Sequence, residues 1–539
     1  MSFGLGAFLN RPETPSITAA AIGQAQKLIG LEFTPSETDS MLSSLEEQRV
    51  AYGKLRAIPL TNDVVPALVF NPLPVGFQFE KERKPFKTAV QPGKVTLPAS
   101  RADLAFYSVN QLAYLVRTRQ LSSVELTRFF LERLKTHGPR LQCTITLTEE
   151  LALQQAQRAD QEIKAGKYRG PLHGIPYGAK DLLATKGYKT TWGAGPYRDQ
   201  IIDADATVIQ KLEAAGAVLV AKLTLGALAM GDVWFGGMTR NPWDPARGSS
   251  GSSAGSASAV AAGLVPFAIG TETLGSIVSP SSVCGTTGLR PTFGRVSRTG
   301  GMALTWSMDK IGPICRRVED CAIVFDALIG PDGKDPSVRD APFNYDGTRK
   351  LTGIRVGYLK NDFERDYPTQ AFDQATLQKL RELGVELIPL ELPDLPSRDL
   401  SFIIDVESAA AFDELTRSNG DDLMTRQGKN DWPNTFRAAR FIPAVEYIQA
   451  NRHRTRLIEA MAEKLKDIDV YISPSFGNRN LMVTNLTGHP CVVLPNGFRP
   501  EGTPTSITFM GQLFGEATLL TVAKAYQEAT DFHLKHPKE

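Results

Sequence analysis

The sequence contains few cysteines and histidines, and its charges almost cancel. Five cysteines in 539 residues are too few for a disulfide scaffold, and their odd number leaves at least one unpaired. Six histidines offer little material for histidine-based catalysis. His, Cys and carboxylate residues do not recur at metal-ligand spacing, so we expect neither a metal nor another cofactor. With 60 Lys and Arg against 58 Asp and Glu, the formal charge of +2 excludes charge-driven attraction to nucleic acid or an anionic membrane.

Long apolar runs are also absent. The sequence has no stretch of the roughly 18 apolar residues that a membrane-spanning helix needs. Residues 1–15 lack the basic and apolar segments of a signal peptide. A content of 42% apolar and 22% charged residues argues against disorder. We therefore expect a folded cytoplasmic protein, although a chain from which an export signal had been removed would look the same.

Residues 1–98 are predicted to form a helical accessory region with a proline-rich arm. An alanine-rich stretch over residues 16–29 ends at Gly30, and Thr34 and Glu37 then form a capping box around a proline at the first helical position. Seven prolines lie between Pro59 and Pro98. Because this density of proline excludes helix and central strand, the segment is predicted to be an extended arm wrapped on the main body.

Residues 99–539 are predicted to form one catalytic domain of the α/β class. Helical patterns alternate with short strand-like runs, for example at 143–147 and 218–221, and the runs at 470–473 and 491–494 are typical of buried strands. This alternation indicates a central β-sheet with α-helices on its faces. Residues 400–465 have a mostly helical pattern and are predicted to form a cap over a site.

Turns rich in glycine and serine lie between residues 170 and 313 and indicate a reaction site. One is the cluster at 248–256, another occupies 270–276, and residues 174–181 lie upstream. Small residues allow backbone N–H groups to converge on one point, as an oxyanion hole requires. A serine at the end of such a turn is a candidate nucleophile. A buried, neutral lysine can serve as its base where histidine is scarce.

These residues resemble the amidase signature hydrolases. The resemblance rests on Lys180-Asp181, on Ser-Ser-Ala-Gly-Ser at 252–256, on residues 270–285 and on Gly-Leu-Arg-Pro-Thr at 288–292. It continues through further matches at 294–297, 307–313, 485–488 and 511–520. It implies the amidase signature fold, with a mixed central β-sheet between layers of helices, and the hydrolysis of carboxamide C–N bonds.

The resemblance also implies a Ser–cis-Ser–Lys triad. Ser276 takes the position of the nucleophile, Lys180 that of the base, and Ser252 that of a bridging serine that follows a cis peptide bond. In this scheme Lys180 accepts the Ser276 proton through Ser252 while Ser276 attacks the carbonyl carbon. The oxyanion hole would consist of the backbone N–H groups of Thr273, Leu274, Gly275 and Ser276. Side chains that support the triad would be those of Asp181, Ser253 and Glu272.

Three positions depart from the family's usual pattern. Leu274 stands where the family has a glycine, so the acyl pocket should be narrower, although the Leu274 N–H can still donate. Glu272 and Val278 replace the usual Asp and Arg. Because the Val278 side chain cannot bind a carboxylate, Glu272 is expected to have another partner. Cys284 is predicted to be a core thiol, and His489 either to line the pocket or to lie in a plain turn.

The function predicted from the sequence is that of a stand-alone amidase for aryl or alkyl amides, with esters or carbamates as side activities. Its expected partner is a small-molecule amide, without nucleic acid or membrane, and a homodimer is one possible assembly. The first alternative is the glutaminase subunit of a tRNA-dependent amidotransferase, against which the N-terminal extension and Leu274 are weighed. The second is an α/β-hydrolase-type esterase with Ser253 as nucleophile in Gly251-Ser-Ser-Ala-Gly255. A non-catalytic scaffold is the third, and the complete triad set argues against it.

Overall fold

The computed structural model of the protein describes residues 17–89, 95–476 and 478–538. These residues form seventeen α-helices: α1 (Ala19–Ile29), α2 (Pro35–Arg56), α3 (Val109–Arg117), α4 (Ser123–Leu141), α5 (Glu149–Lys164), α6 (Thr207–Ala214), α7 (Ala254–Ala261), α8 (Val278–Cys284), α9 (Val318–Leu328), α10 (Lys360–Glu364), α11 (Gln370–Glu382), α12 (Phe402–Ala411), α13 (Asp413–Arg417), α14 (Trp432–Ala439), α15 (Ala444–Leu465), α16 (Asn478–Leu486) and α17 (Glu516–Thr530).

The same residues form fifteen β-strands: β1 (Thr144–Leu147), β2 (Pro176–Lys180), β3 (Val218–Leu223), β4 (Val233–Trp234), β5 (Gly237–Met238), β6 (Arg240–Asn241), β7 (Asp244–Gly248), β8 (Ala268–Glu272), β9 (Thr287–Arg290), β10 (Lys310–Cys315), β11 (Val356–Leu359), β12 (Leu387–Leu390), β13 (Val470–Pro474), β14 (Cys491–Phe498) and β15 (Pro504–Gly511).

Eleven of the described strands form one mixed sheet, in the order β1-β3-β2-β8-β10-β9-β14-β15-β13-β11-β12. Strand β2 pairs in parallel with β3 and β8, and β11 pairs in parallel with β13 and β12. The remaining pairs of the sheet are antiparallel. Strand β3 is buried along its whole length, which explains why its sequence reads as an apolar run rather than as an alternation.

Alternate residues of β3 belong to two different hydrophobic clusters. Val218 and Val220 pack in a cluster with residues of α4, α5 and α7, whereas Leu219 packs in one that includes residues of α3, α6 and α9. Because successive side chains of a strand point to opposite faces, helices cover both faces of the sheet. The predicted α/β class and its helical layers are therefore confirmed.

The N-terminal region consists of α1, α2 and an extended arm. Gly30 ends α1 with a φ of +67°, and Thr34 caps α2 through both hydrogen bonds of a capping box. Residues 57–89 hold no helix or strand beyond an isolated bridge between Lys87 and Asp346. Residues 1–16 and 90–94 of the predicted accessory region lie outside the described residues. The division at residue 98 stays a prediction.

Helices α12 to α15 occupy most of the segment that was predicted to form a cap. Trp432 at the start of α14 is buried, and its Nε1–H donates to the Leu228 carbonyl oxygen at 2.9 Å. The segment thus contacts the chain between β3 and β4, while its role as a cap stays a prediction. Among the described residues, the helices are all too short or too polar to cross a membrane.

Candidate active site

Lys180 is the last residue of β2 and is fully buried. Its Nζ lies 2.8 Å from Ser252 Oγ, 2.9 Å from Thr271 Oγ1 and 3.1 Å from Ser253 Oγ. Burial lowers the pKa of Lys180 to about 7, although the charges of Asp309 and Glu272 oppose this shift. A substantial fraction of the lysine is therefore neutral near neutral pH and can accept a proton from the Ser252 hydroxyl.

Ser252 lies in the loop between β7 and α7, and its hydroxyl points at Lys180. The Gly251–Ser252 peptide bond is cis, as the resemblance implied. Only glycine fits at position 251, because a Cβ there would lie 1.8 Å from the Gly231 carbonyl oxygen. Ser252 is 1% exposed, so its contact with Lys180 is shielded from bulk water.

Ser276 lies in the turn between β8 and α8, which we call the nucleophile turn (residues 273–277). Ser276 is 8% exposed, and its carbonyl oxygen accepts a hydrogen bond from the Ser253 N–H at 3.1 Å. This bond holds the nucleophile turn beside the loop that carries Ser252. Among the described residues, the Ser276 hydroxyl has no hydrogen-bond partner, so it is free to meet a substrate.

The backbone donors of the nucleophile turn are also unused. The N–H groups of Leu274, Gly275 and Ser276 donate to no other group of the described chain. Gly275 has a φ of +81°, a conformation that the other residues rarely adopt. Three neighbouring N–H groups without partners are what an oxyanion hole needs. The proposed hole at 273–276 stays a prediction that this geometry supports.

Glu272 has the alternative partner that the sequence left open. Arg290 on β9 donates to Glu272 Oε1 at 2.7 Å, with both side chains fully buried, and Asn485 on α16 donates to the same oxygen at 2.9 Å. The other oxygen accepts from the N–H groups of Ile277 and Val278 at 2.8 and 3.0 Å. Although burial raises the pKa of Glu272, Arg290 and these donors hold it at about 2. The carboxylate therefore fixes the end of the nucleophile turn.

Asp181 holds a second buried lysine rather than Lys180. Lys222 Nζ lies 2.8 Å from Asp181 Oδ1, and both side chains are fully buried. The other carboxylate oxygen accepts from the Thr191 N–H at 2.8 Å. Asp181 thus ties the chain that follows Lys180 to β3 and to the loop at Thr191, and these contacts fit the supporting role predicted for it.

Ser253 is the nucleophile in the α/β-hydrolase alternative, but its hydroxyl is buried and already bonded. It accepts from the Thr271 N–H and donates to the Thr271 carbonyl oxygen, both at 3.1 Å. The strand that precedes it, β7, belongs to a two-stranded ribbon with β6 and not to the main sheet. This geometry does not fit a nucleophile elbow.

The structure adds residues whose roles sequence reasoning missed. Thr271 contacts Lys180, and the Thr273 hydroxyl of the nucleophile turn donates to Asp309. Arg290 and Asn485 bind Glu272. Arg290, Asp309 and Asn485 all fall within matched motifs. The sequence therefore indicated that these residues belong to the family pattern but did not indicate which groups they bind.

Cys284 and His489 are both buried beside the site. Burial raises the pKa of the Cys284 thiol, which lies in a hydrophobic cluster, as expected for a core thiol. His489 accepts from or donates to the Thr487 hydroxyl at 2.7 Å through Nδ1, and its carbonyl oxygen binds Arg290. Burial and Arg290 lower the pKa of His489 to about 3. Its contacts are those of a residue that braces a turn.

The chain is similar to curated proteins over most of its length. The A-type subunit of the glutamyl-tRNA(Gln) amidotransferase of Marinomonas sp. (strain MWYL1) is 33% identical over 478 residues, which are 80% of this chain and 98% of that protein. The subunit of the same name from Nitrosospira multiformis is 34% identical over 481 residues, which are 80% of this chain and 99% of that protein.

These relatives overturn two predictions from the sequence. The prediction of a stand-alone amidase is wrong, and so is the prediction that the partners are a small-molecule amide and, in one possible assembly, a second copy of the chain, without nucleic acid. The N-terminal extension and Leu274 therefore do not argue against an amidotransferase subunit. The matched region covers nearly all of each relative and 80% of this chain, so the residues of this chain outside the match are additional to the shared part. The Leu274 side chain leaves the backbone donors of the nucleophile turn free.

Solved structures and a family profile agree on the fold. The native peptide amidase from Stenotrophomonas maltophilia superposes with a TM-score of 0.70 at 29% identity, covering 79% of this chain and 97% of that one. A protein from a vestigial complex related to an s-triazine catabolic enzyme superposes with a TM-score of 0.73 at 27% identity, covering 78% and 98%. The profile of the Amidase family matches residues 125–520. The chain therefore belongs to the amidase signature family and is an enzyme that acts on carbon–nitrogen bonds.

Proposed function

We propose that the chain is the A-type subunit of an amidotransferase and releases ammonia from the side-chain carboxamide of glutamine. The observation that carries the chemistry is the 2.8 Å contact between the buried Lys180 amine and Ser252 Oγ beside the nucleophile turn. The choice of glutamine follows from the relatives, which are subunits of glutamyl-tRNA(Gln) amidotransferases. The net reaction converts glutamine and water into glutamate and ammonia.

In the first half of the proposed reaction the amide carbon is attacked. Ser276 Oγ forms a bond to this carbon while its proton passes to Ser252, whose own proton passes to neutral Lys180. The negative charge that develops on the amide oxygen is stabilised by the N–H groups of residues 273–276. The C–N bond then breaks as the proton returns through Ser252 to the departing nitrogen, and ammonia leaves.

In the second half a water molecule attacks the glutamyl ester of Ser276 and the same relay moves its proton. Glutamate is released and Ser276 regains its hydroxyl hydrogen. Asp181, Ser253 and Glu272 support the relay without bonding the substrate. Asp181 holds the chain that follows Lys180, Ser253 holds Thr271, and Glu272 holds the nucleophile turn.

The proposal includes a protein partner and a tRNA-bound glutamyl group as the ammonia acceptor. The net charge of +2 argues only against binding of tRNA by overall attraction, so recognition of the tRNA would rest with the partner. A cytoplasmic location is part of the proposal. It is supported by five cysteines that are all free and buried, since unpaired thiols are typical of reducing compartments.

The proposal is tested by comparing wild type with Ser276→Ala and Ser282→Ala. Ser282 lies in α8 with a buried hydroxyl that has no hydrogen-bond partner among the described residues, so it is a matched control. Ammonia release from glutamine is measured first, followed by conversion of Glu-tRNA(Gln) to Gln-tRNA(Gln) in an extract of the native cells from which the wild-type chain has been depleted. We expect wild type and Ser282→Ala to be active and Ser276→Ala to lose at least about 1,000-fold, as loss of an activated nucleophile does.

One outcome would separate the chemistry from the substrate. If a fluorophosphonate labels Ser276 but glutamine stays intact with and without extract, the glutaminase assignment is wrong. If Ser276→Ala keeps the wild-type rate, the nucleophile itself is misassigned.

A further inference from the structure

One side chain of the extended arm reaches a loop beside the nucleophile turn. Asn62 is half-buried, whereas Leu60 and Leu68 on either side are 72% and 79% exposed. The Ala303 N–H donates to Asn62 Oδ1 at 2.7 Å, and Asn62 Nδ2 donates to the Ala303 carbonyl oxygen at 2.9 Å. The carboxamide thus pairs with both polar groups of one residue, as a neighbouring strand would. Nδ2 also lies 3.4 Å from the Ala411 carbonyl oxygen at the end of α12.

The loop that Asn62 holds, residues 300–309, is bonded directly to the nucleophile turn. The N–H groups of Leu304 and Thr305, which follow Ala303, donate to Asp309 Oδ2 at 2.8 and 3.0 Å. The other oxygen of Asp309 accepts from the Thr273 hydroxyl. Thr273 begins the turn that carries the oxyanion donors and Ser276. Asn62 is therefore connected to the proposed oxyanion hole through a short and continuous set of hydrogen bonds.

The start of the same loop is bonded to the segment that carries the base. The Met302 N–H donates to the Leu182 carbonyl oxygen at 3.0 Å, and the Ala184 N–H donates to the Gly300 carbonyl oxygen at 2.9 Å. Leu182 and Ala184 closely follow Lys180 in the chain. The 300–309 loop thus contacts both the base segment and the nucleophile turn, and its position sets their separation.

A second residue of the arm acts on the far end of this loop. The Phe70 ring centroid lies 3.5 Å from the guanidinium carbon of Arg454. That guanidinium donates to Ser307 Oγ at 2.8 Å and to the Ser307 carbonyl oxygen at 2.9 Å. The arm therefore holds the loop at Ala303 directly and at Ser307 through Arg454.

We propose that Asn62 is a positioning residue for the reaction at Ser276, so that the arm is a working part of the site and not an attachment to it. Asn62 touches neither the substrate position nor the triad. It fixes the 300–309 loop, which in turn fixes Thr273 and the N–H groups that follow it. The inference rests on the proposed nucleophile but not on glutamine as the substrate.

The test measures the second-order rate constant for fluorophosphonate labelling of Ser276 in the full chain, because this reaction needs the nucleophile turn but no natural substrate. We expect Asn62→Ala to lower the constant about 10- to 100-fold, as small misplacements of a reacting group do. Asn62→Asp keeps the acceptor for the Ala303 N–H, so it should lower the labelling rate constant less than Asn62→Ala does. Arg83→Ala is the control, because it removes an exposed ion pair between the arm and Asp340 away from the loop.

Thermal midpoints and pH profiles separate positioning from general stability. Labelling is measured well below every midpoint, where a purely structural role would leave the rate constant of the folded protein unchanged. The apparent pKa of labelling should stay near the wild-type value, because the hydroxyl groups that contact Lys180, those of Ser252, Ser253 and Thr271, lie outside the 300–309 loop. The inference would be overturned if Asn62→Ala were labelled with the wild-type rate constant, or if Arg83→Ala lowered that rate constant as much as Asn62→Ala does. Failure of wild type itself to label would overturn the proposed function instead.

Discussion

At the scale of single residues, the environment of Lys180 fits its proposed role as a base in a sequence with few histidines. Its amine contacts hydroxyl groups and lacks a carboxylate in direct contact among the described residues. The carboxylate next to it in the chain, Asp181, is bound to Lys222 instead. Because Asp181 is paired with Lys222, burial is the main influence on the pKa of Lys180. Burial lowers this pKa and so favours the neutral amine that the proposed reaction needs.

The pH dependence of activity follows from this environment. Because Lys180 has a pKa of about 7 and acts in its neutral form, kcat/KM should rise tenfold per pH unit below that value and level off above about pH 8. The measurement is ammonia release from about pH 5.5 to 9, with fluorophosphonate labelling as a substrate-independent control. A flat profile in both assays would contradict the assignment of Lys180 as the base.

The same pKa affects stability in a definite direction. The pKa of Lys180 is about 7 in the folded protein against an ordinary value of 10.5, so between these pH values the unfolded chain holds a proton that the folded chain lacks. The contribution of Lys180 to the free energy of unfolding therefore rises with pH over this window. Lys180→Met removes the titrating group, and its stability advantage over wild type should shrink from about pH 7 to about pH 10 in urea unfolding. An advantage that is constant with pH would show that the pKa of Lys180 is not lowered by folding.

At the scale of secondary-structure elements, Glu272 joins β8, α8, β9 and α16 at one point. Arg290→Met should lower the free energy of unfolding by about 3–5 kcal/mol, because it leaves a buried carboxylate without its cation. The double variant Glu272→Gln/Arg290→Met should recover part of this loss. Arg247→Met removes an exposed ion pair and serves as the control in the same denaturant titration. Equal losses in Arg290→Met and Arg247→Met would contradict the role given to the buried pair.

Elements with local signals could be predicted from the sequence, and long-range partners could not. The capping box at Thr34, the end of α1 at Gly30 and the burial of β3 all depend on residues within a few positions of each other. The partner of Glu272 lies on another strand, and its amide partner lies on a helix near the C-terminus. Only the fold brings such residues together, which is why the sequence indicated that Glu272 needs a partner without identifying it.

At the scale of the whole molecule, all five cysteines are free and buried. Burial raises the pKa of Cys143 to about 11 and that of Cys491 to about 12, so thiolates are scarce at neutral pH. We expect an aromatic disulfide reagent to titrate less than one thiol in the native protein and all five in denaturant. Reductant should leave the melting temperature unchanged. Rapid reaction of several thiols in the native protein would contradict the described packing.

The error in the predicted function also belongs to this scale. The stand-alone prediction rests on the N-terminal extension and the altered nucleophile turn, and neither feature determines whether the chain assembles with partners. The relatives match about 80% of the chain and nearly all of their own length. Chemistry at the site was therefore predictable from local motifs, whereas assembly with partners depends on surfaces that no local motif encodes.

The order of strands in the sheet bears on how the protein is made. Lys180, Ser252 and Ser276 all precede β9 in the sequence, but β9 pairs with β14, with Leu289 opposite Val492. During synthesis the edge of β9 stays unpaired until β14 has left the ribosome, and unpaired sheet edges recruit other chains. Pairings between distant segments also form slowly. The nascent chain thus carries an open β-edge while the residues between β9 and β14 are translated, and we expect its yield to fall at high growth temperature or with a limited chaperone supply.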